Sequence, residues 1–205
     1  MSPDIVLYTN PQSRGRVARW MLEEVGVPYR AEVLGYGPPM KTPDYLAINP
    51  MGKVPALVHG ATVVTENAAI CAYLADAFPA AGLAPPPAER GAYYRWFFFL
   101  AGPFEAAIFN RALGLDVPAD KQVAIGYGTC ERALDTLEQA VSRSDYLAAS
   151  SFTAVDLFAG ALLDFGMRFG MVEKRAAFEA YAARMTGREA SRRAAAKDDA
   201  PAAAV

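Results

Sequence analysis

Three short stretches carry residue types whose spacing suits the handling of an anion. Ser13 stands just before a helical pattern (Val17, Trp20, Met21, Leu22) that ends at Gly26. A hydroxyl there can cap free backbone N–H groups, or donate to an anion that the helix dipole favours. Tyr8, closing the apolar run Ile5-Val6-Leu7-Tyr8, and Asn10 are further donors nearby, although Tyr8 suits core packing as well. Glu66-Asn67 opens a second helical pattern. The leading N–H groups of a helix attract an anion, while an acidic residue there also simply complements the dipole. Val54-Pro55 precedes an apolar strand. An X-Pro bond there is either an ordinary trans proline or a cis turn, which costs only about 0.5–1 kcal/mol more. Lys41 and Lys53 are cations in the same stretch, and each also reads as a solvated surface lysine.

Composition narrows the chemistry. The net charge is −2, so no basic field invites nucleic acid or an anionic membrane. No apolar run reaches the roughly 18 residues of a membrane span, and Met1–Thr9 enters a strand pattern without a signal-peptide profile. Two cysteines and one histidine are too few for a structural zinc site, which takes about four such ligands, and no metal is expected. His59, in Val58-His59-Gly60, reads as turn filler. Cys71 and Cys130 sit among apolar helical neighbours and read as buried, inert thiols of a cytoplasmic protein.

The elements that must position these residues change character along the chain. Up to residue 80 the order reads β-α-β-α-β-β-α, with Val54–Val58 and Ala61–Val64 forming a hairpin around His59-Gly60. Phe78 to Pro87 is rich in Pro, Ala and Gly, and residues 81–87 read as a linker. From Ala88 the pattern is helical only. One helix over Arg90–Leu113 should bend at Gly102-Pro103. Further helices are expected over Lys121–Val141, from Thr153 through Phe165, and from Phe178 to Met185. A domain over 88–195 follows, with a disordered tail over 196–205. Arg14, Arg16 and Arg19 followed by Glu23 and Glu24 read as a self-balanced, solvated helix face. Thr153-Ala154-Val155-Asp156 has capping-box spacing, for which loss of Asp156 should cost on the order of 1 kcal/mol.

The run Leu46-Ala47-Ile48-Asn49-Pro50-Met51-Gly52-Lys53-Val54-Pro55-Ala56-Leu57-Val58, then Thr65-Glu66-Asn67-Ala68-Ala69-Ile70, resembles the glutathione S-transferase superfamily, its bacterial members especially. Leu7-Tyr8, Ser13-Arg14-Gly15-Arg16, Gly26-Val27-Pro28-Tyr29 and Phe152–Asp156 are similar too, so the likeness runs to about Arg193. It implies an α/β plus all-α fold: a thioredoxin-like domain over 1–80, then an all-helical domain. It implies glutathione as the bound thiol, a hydrophobic electrophile or a peroxide as second substrate, and a homodimer. In relatives the Val-Pro bond is cis, and the residue before proline pairs its backbone with the cysteinyl part of glutathione. By the same resemblance Glu66 and Asn67 take the γ-glutamyl end, and Lys41 or Lys53 the glycyl carboxylate. Asn67 departs from the Ser or Thr of many relatives but still donates from its amide. Ser13 matches the activating serine of the serine-type classes, Tyr8 the tyrosine of the mammalian-type classes, and Asn10 is a third candidate. Arg14 adds positive charge. Tyr36, Trp96 and Phe104 are candidates for the second-substrate pocket. The alternative is a non-catalytic interaction module of the same fold.

Overall fold

The computed structural model describes residues 5–200. Its internal contacts divide the chain into two units, one running to Leu83 and resuming at Arg188, the other spanning Ala84–Gly187.

The first unit is built on β1 (Ile5–Thr9), whose first three residues are apolar and buried. β2 (Arg30–Val33) lies parallel to it, Val6 opposite Arg30 and Thr9 opposite Val33. A parallel pair needs a crossover, and α1 (Gly15–Val25) supplies it. On its other side β1 meets β3 (Ala56–His59) antiparallel, and β3 meets β4 (Thr62–Thr65), giving the order β2-β1-β3-β4. α2 (Pro43–Ile48) precedes β3, and α3 (Asn67–Ala77) follows β4. This is the thioredoxin-like order expected. His59 is not turn filler: it ends β3, its Nδ1 lies 2.9 Å from the Tyr73 hydroxyl, and its ring stacks on Phe78. Gly60-Ala61 forms the turn instead, with Gly60 at φ 58°, the left-handed conformation that two-residue hairpins demand.

The same unit contains a helix that was not expected there. α9 (Glu189–Asp199) packs on α1, and helix continues through four residues assigned to a tail. Ala190 and Ala194 are buried at the contact, and small side chains let the helices approach. Their charges then interlock. Arg188 grips Glu24 through Nε at 2.6 Å and Nη2 at 2.9 Å. Arg193 donates to the Glu23 carbonyl at 3.0 Å, and Lys197 pairs with the Glu23 carboxylate. Arg19 Nε donates to Asp198 Oδ1 at 2.7 Å. Arg19 and Glu23 are therefore buried members of an interhelical network, and the reading of a solvated face is corrected. Residues 201–205 of the expected tail lie outside the described residues.

The second unit is helical. α4 (Gly91–Phe99) and α5 (Glu105–Ala112) are joined by a wide, π-type turn over Leu100–Phe104 that contains Pro103. A proline has no N–H to give the ladder, so the wide turn falls at Gly102-Pro103. The next helix starts later than expected: α6 spans Cys130–Arg143. Gly128 at φ 66° interrupts the pattern, and Thr129 caps the new start by accepting from Arg132 N at 3.1 Å. α7 (Ala154–Arg168) and α8 (Ala176–Thr186) complete the unit. Gly160 sits where a Cβ would come within 2.4 Å of Met185 Cβ, so these two helices are in close contact. At the base of α7 the Asp156 carboxylate is fully buried and accepts four hydrogen bonds.

Candidate active site

The register of the sheet brings the three sequence stretches to one end. Tyr8 lies opposite Ala56, and Ala56 lies opposite Thr65. The chain beyond Tyr8, the chain before Ala56 and the chain beyond Thr65 therefore all depart from the same row. These are the Asn10–Arg14 loop, the Lys53–Pro55 loop and the Glu66-Asn67 helix start.

The first loop is closed by its own polar groups. Asn10 Nδ2 donates to the Leu34 carbonyl at 2.8 Å, and Asn10 Oδ1 accepts from Gln12 N at 2.9 Å. Asn10 is thus committed to loop architecture. Ser13 donates to the Asn10 carbonyl twice, from its backbone N at 2.9 Å and its Oγ at 2.7 Å. Ser13 Oγ also accepts from Gly15 N at 2.9 Å, so it stands at the amino end of α1 in capping geometry. Gly15 is needed at this start, because a Cβ there would lie 2.1 Å from the buried Thr9 Oγ1. The Tyr8 ring packs 5.5 Å from that of Tyr45.

The second loop presents a free backbone edge. The Val54-Pro55 peptide is cis, as the resemblance implied. Among the described residues neither the N–H nor the C=O of Val54 has a hydrogen-bond partner. The residue before it is held firmly: the Lys53 carbonyl accepts from Tyr45 Oη at 2.6 Å and from Asn49 Nδ2 at 2.7 Å. Burial pushes the Tyr45 hydroxyl up to about 12, so it keeps its proton and its donor role. Tyr45 and Asn49 escaped the sequence reading. Asn49 lay inside the motif but signalled only a turn, and Tyr45 is an aromatic in a short helix with no local mark of its reach. Lys41 Nζ donates to the Met51 and Gly52 carbonyls at 3.0 and 3.1 Å, holding the turn, while Lys53 is exposed.

The third element is an uncapped helix start. Glu66 has φ 69° and ψ 124°, the one left-handed non-glycine among the described residues. Such a conformation costs on the order of 1–3 kcal/mol and gathers at ligand sites. No side chain caps α3, and its first intrahelical bond is Ile70 N to the Glu66 carbonyl. The N–H groups of Asn67, Ala68 and Ala69 are left to a ligand or water. Asn67 Nδ2 donates to the Arg14 carbonyl at 2.9 Å, joining this start to that of α1. Two helix N-termini and a free peptide edge at one sheet end can bind an extended peptide carrying carboxylate and anionic sulfur.

Known proteins are similar to this chain. Residues 14–77 match the family model described as glutathione S-transferase, N-terminal domain. Glutathione S-transferase 3 of Zea mays is 33% identical over 57% of this chain and 56% of its own length. Glutathione S-transferase GST-4.5 of Xanthomonas campestris is 36% identical over 46% and 47%. The chain thus spans about half the length of these curated relatives. A sphingomonad glutathione S-transferase solved in complex with glutathione superposes with a TM-score of 0.75 at 26% identity, covering 96% of this chain and all of that one. The family model, the curated relatives and the solved structures all support the glutathione S-transferase superfamily for this chain.

Other residues singled out by sequence fall differently within this glutathione S-transferase fold. Tyr36 is exposed, and its hydroxyl donates to the Gln12 carbonyl at 3.2 Å, bracing the Ser13 loop. Trp96 and Phe104 are core residues of the helical unit, 4% and 0% exposed. Their side chains fill space among other aromatics, Trp96 edge-on to Phe99. Tyr94 and, one turn later, Phe98 are rings that α4 leaves exposed. Cys71 is fully buried, and desolvation raises its thiol above the usual range. Among the described residues no cluster of three metal-ligating side chains occurs, and no helix is long and apolar enough to cross a membrane.

Proposed function

We propose that this protein is a glutathione transferase that binds glutathione at the Val54/Asn67/Ser13 end of the sheet and activates its thiol for attack on an electrophile. The observation that carries this reading is the row Tyr8–Ala56–Thr65. It sets the unpaired Val54 edge, the uncapped start of α3 and the start of α1 side by side. The Val54 N–H and C=O pair with the cysteinyl backbone. The leading N–H groups of α3, with Glu66 and Asn67, take the γ-glutamyl carboxylate and amine. Lys53, exposed at the near side of Val54, meets the glycyl carboxylate; Lys41 is occupied with the turn. The sulfur then faces the amino end of α1.

Free thiols titrate near 8.5, so activation by two pH units requires about 2.7 kcal/mol in favour of the thiolate. A hydrogen bond to a charged group contributes roughly 1.5–3 kcal/mol, and a helix N-terminus roughly 0.3–1. Ser13 brings both. To donate to sulfur its hydroxyl must turn from the Asn10 carbonyl, which keeps the Ser13 N–H as a partner. That rotation therefore strands no acceptor. Tyr8 is the second candidate for the donor. The thiolate attacks the electrophilic carbon and displaces its leaving group, or attacks a peroxide oxygen, breaking the O–O bond to release an alcohol or water; a second glutathione then converts the resulting sulfenic acid to glutathione disulfide and water. A cytoplasmic homodimer is part of the same proposal, by similarity to the superfamily.

The capping geometry of Ser13 favours one second reading, a binding module without turnover. Calorimetry with glutathione, followed by thiolate absorbance against pH, separates the two. Transferase function predicts binding with a depressed thiol pKa that returns toward 8.5 in Ser13→Ala. Binding without a shift selects the module. A shift retained in Ser13→Ala and lost in Tyr8→Phe moves the activating role to Tyr8.

A further inference from the structure

The Ser13 loop has a contact on its outer side that the proposed chemistry does not use. Arg16, in the first turn of α1, sends one nitrogen, Nη1, to two acceptors. These are the Pro11 carbonyl of the loop at 3.3 Å and Asp199 Oδ1 of α9 at 2.7 Å. Three residues further along α1, Arg19 Nε meets Asp198 Oδ1 at 2.7 Å, with both side chains buried. Arg19 also reaches the Tyr29 hydroxyl at 3.4 Å, and Tyr29 in turn donates to Glu23 at 2.7 Å. The buried pair admits one register of α9 on α1, and that register puts the neighbouring Asp199 beside Arg16. The last turn of α9 is thereby connected to the carbonyl two residues before Ser13.

We propose that α9 is a positioning element of the thiol-activating loop: Asp199, aligned by the Asp198–Arg19 pair, holds the Arg16 guanidinium against the Pro11 carbonyl and so fixes where Ser13 stands. The proposal rests on the transferase reading, because it is the orientation of Ser13 toward a bound thiol that Arg16 sets. On that reading Arg16, Arg19, Asp198 and Asp199 are not among the residues assigned to glutathione. Arg16 and Asp199 are positioning residues, and they affect the sulfur through the loop backbone. Affinity, held by Val54 and the start of α3, does not pass through them. Without Asp199 the guanidinium is free to swing into solvent, and the Asn10–Ser13 turn loses its outer brace while Asn10 and Tyr36 hold the rest.

Asp198→Ala would strip a buried arginine of its partner and threaten folding, so the test uses the exposed end of the link. Arg16→Gln, Asp199→Asn and the double variant are made in the full chain, with Arg168→Gln, which breaks an exposed pair in the helical unit, as control. Glutathione affinity and the pKa of the bound thiol are measured for each. An exposed pair carries up to about fivefold in an equilibrium, so each single variant should reduce the thiolate fraction at neutral pH by up to about fivefold. Affinity should hold, and the control should match wild type. The double variant should equal Arg16→Gln alone, since both substitutions cut one link. A thiol pKa equal to wild type in both single variants overturns the positioning role and leaves the transferase reading standing. Additive shifts in the double variant overturn the link between them. A wild-type protein that binds no glutathione, or binds it without a thiol shift, overturns both readings.

Discussion

Replacing Asp156 with alanine should destabilise this protein far more than loss of a helix cap. Cap removal typically costs about 1 kcal/mol, the figure that the Thr153-to-Asp156 spacing alone supports. The structure gives the carboxylate more to do. Asp156 Oδ1 accepts from Leu147 N at 2.7 Å and from Tyr181 Oη at 2.6 Å. Oδ2 accepts from Thr153 N at 2.8 Å and from Thr153 Oγ1 at 2.7 Å. Asp156 and Tyr181 are both fully buried. Burial, with the charge and hydrogen bond of Asp156, raises the Tyr181 hydroxyl above its ordinary range, so it remains a donor. The alanine variant leaves four donors facing a small void. Each stranded donor costs about 1–3 kcal/mol, and a water admitted to the void recovers part. A net loss of about 3–5 kcal/mol follows, in the range for a substitution that breaks a buried hydrogen-bond network. In a chain of this size that corresponds to a fall in Tm of roughly 6–20 °C. Thermal and urea unfolding followed by circular dichroism measure it, with Tyr181→Phe as the partial variant, expected to lose about 1 kcal/mol. An Asp156→Ala loss no larger than that of an ordinary cap would refute the four-bond account.

Gly15→Ala drives a methyl into Thr9 Oγ1 and should cost about 1–3 kcal/mol; adding Thr9→Ala should restore most of it, and a double variant as unstable as Gly15→Ala would exclude this contact as the cause. Tyr45→Phe removes one of two donors to the Lys53 carbonyl, so glutathione should bind more weakly by about fivefold to tenfold, as read by calorimetry. Burial pushes the Glu23 carboxyl up, but hydrogen bonds from Lys197 and Tyr29 outweigh it and hold it below the ordinary 4.5. A lowered carboxyl stabilises the fold above its unfolded value and loses that contribution as pH falls through the folded one. The stability gap between wild type and Glu23→Gln should therefore be full at neutral pH and shrink below about pH 4.5; a gap independent of pH would count against the ionic clasp of α9.

Much of the site was legible because its signals are local. Asn49 to Val58 holds a turn, a proline and a strand within ten residues, and each acts through its immediate neighbours. The order of strands and helices up to Ala77, the interruption at Gly102-Pro103 and the start of α7 were legible for the same reason: periodicity, caps and breakers work over a few residues. Lys41 and Lys53 could not be told apart, since the choice depends on which ammonium folds back onto the Met51-Gly52 turn. Trp96 and Phe104 look like pocket residues in a stripe of aromatics, and only packing says which rings face inward.

Sequence by itself determined the thioredoxin-like order of the first unit, the cis-capable Val54-Pro55 loop and the anion-attracting start of α3, because in each the decisive contacts lie within one turn or one hairpin. Tertiary structure alone decided that α9 returns to the first unit. Arg19 with Asp198, and Glu24 with Arg188, are partners separated by 179 and 164 residues. No local pattern distinguishes such a charge from a solvated one; burial against the opposite helix does, by making an unpaired partner too costly to keep.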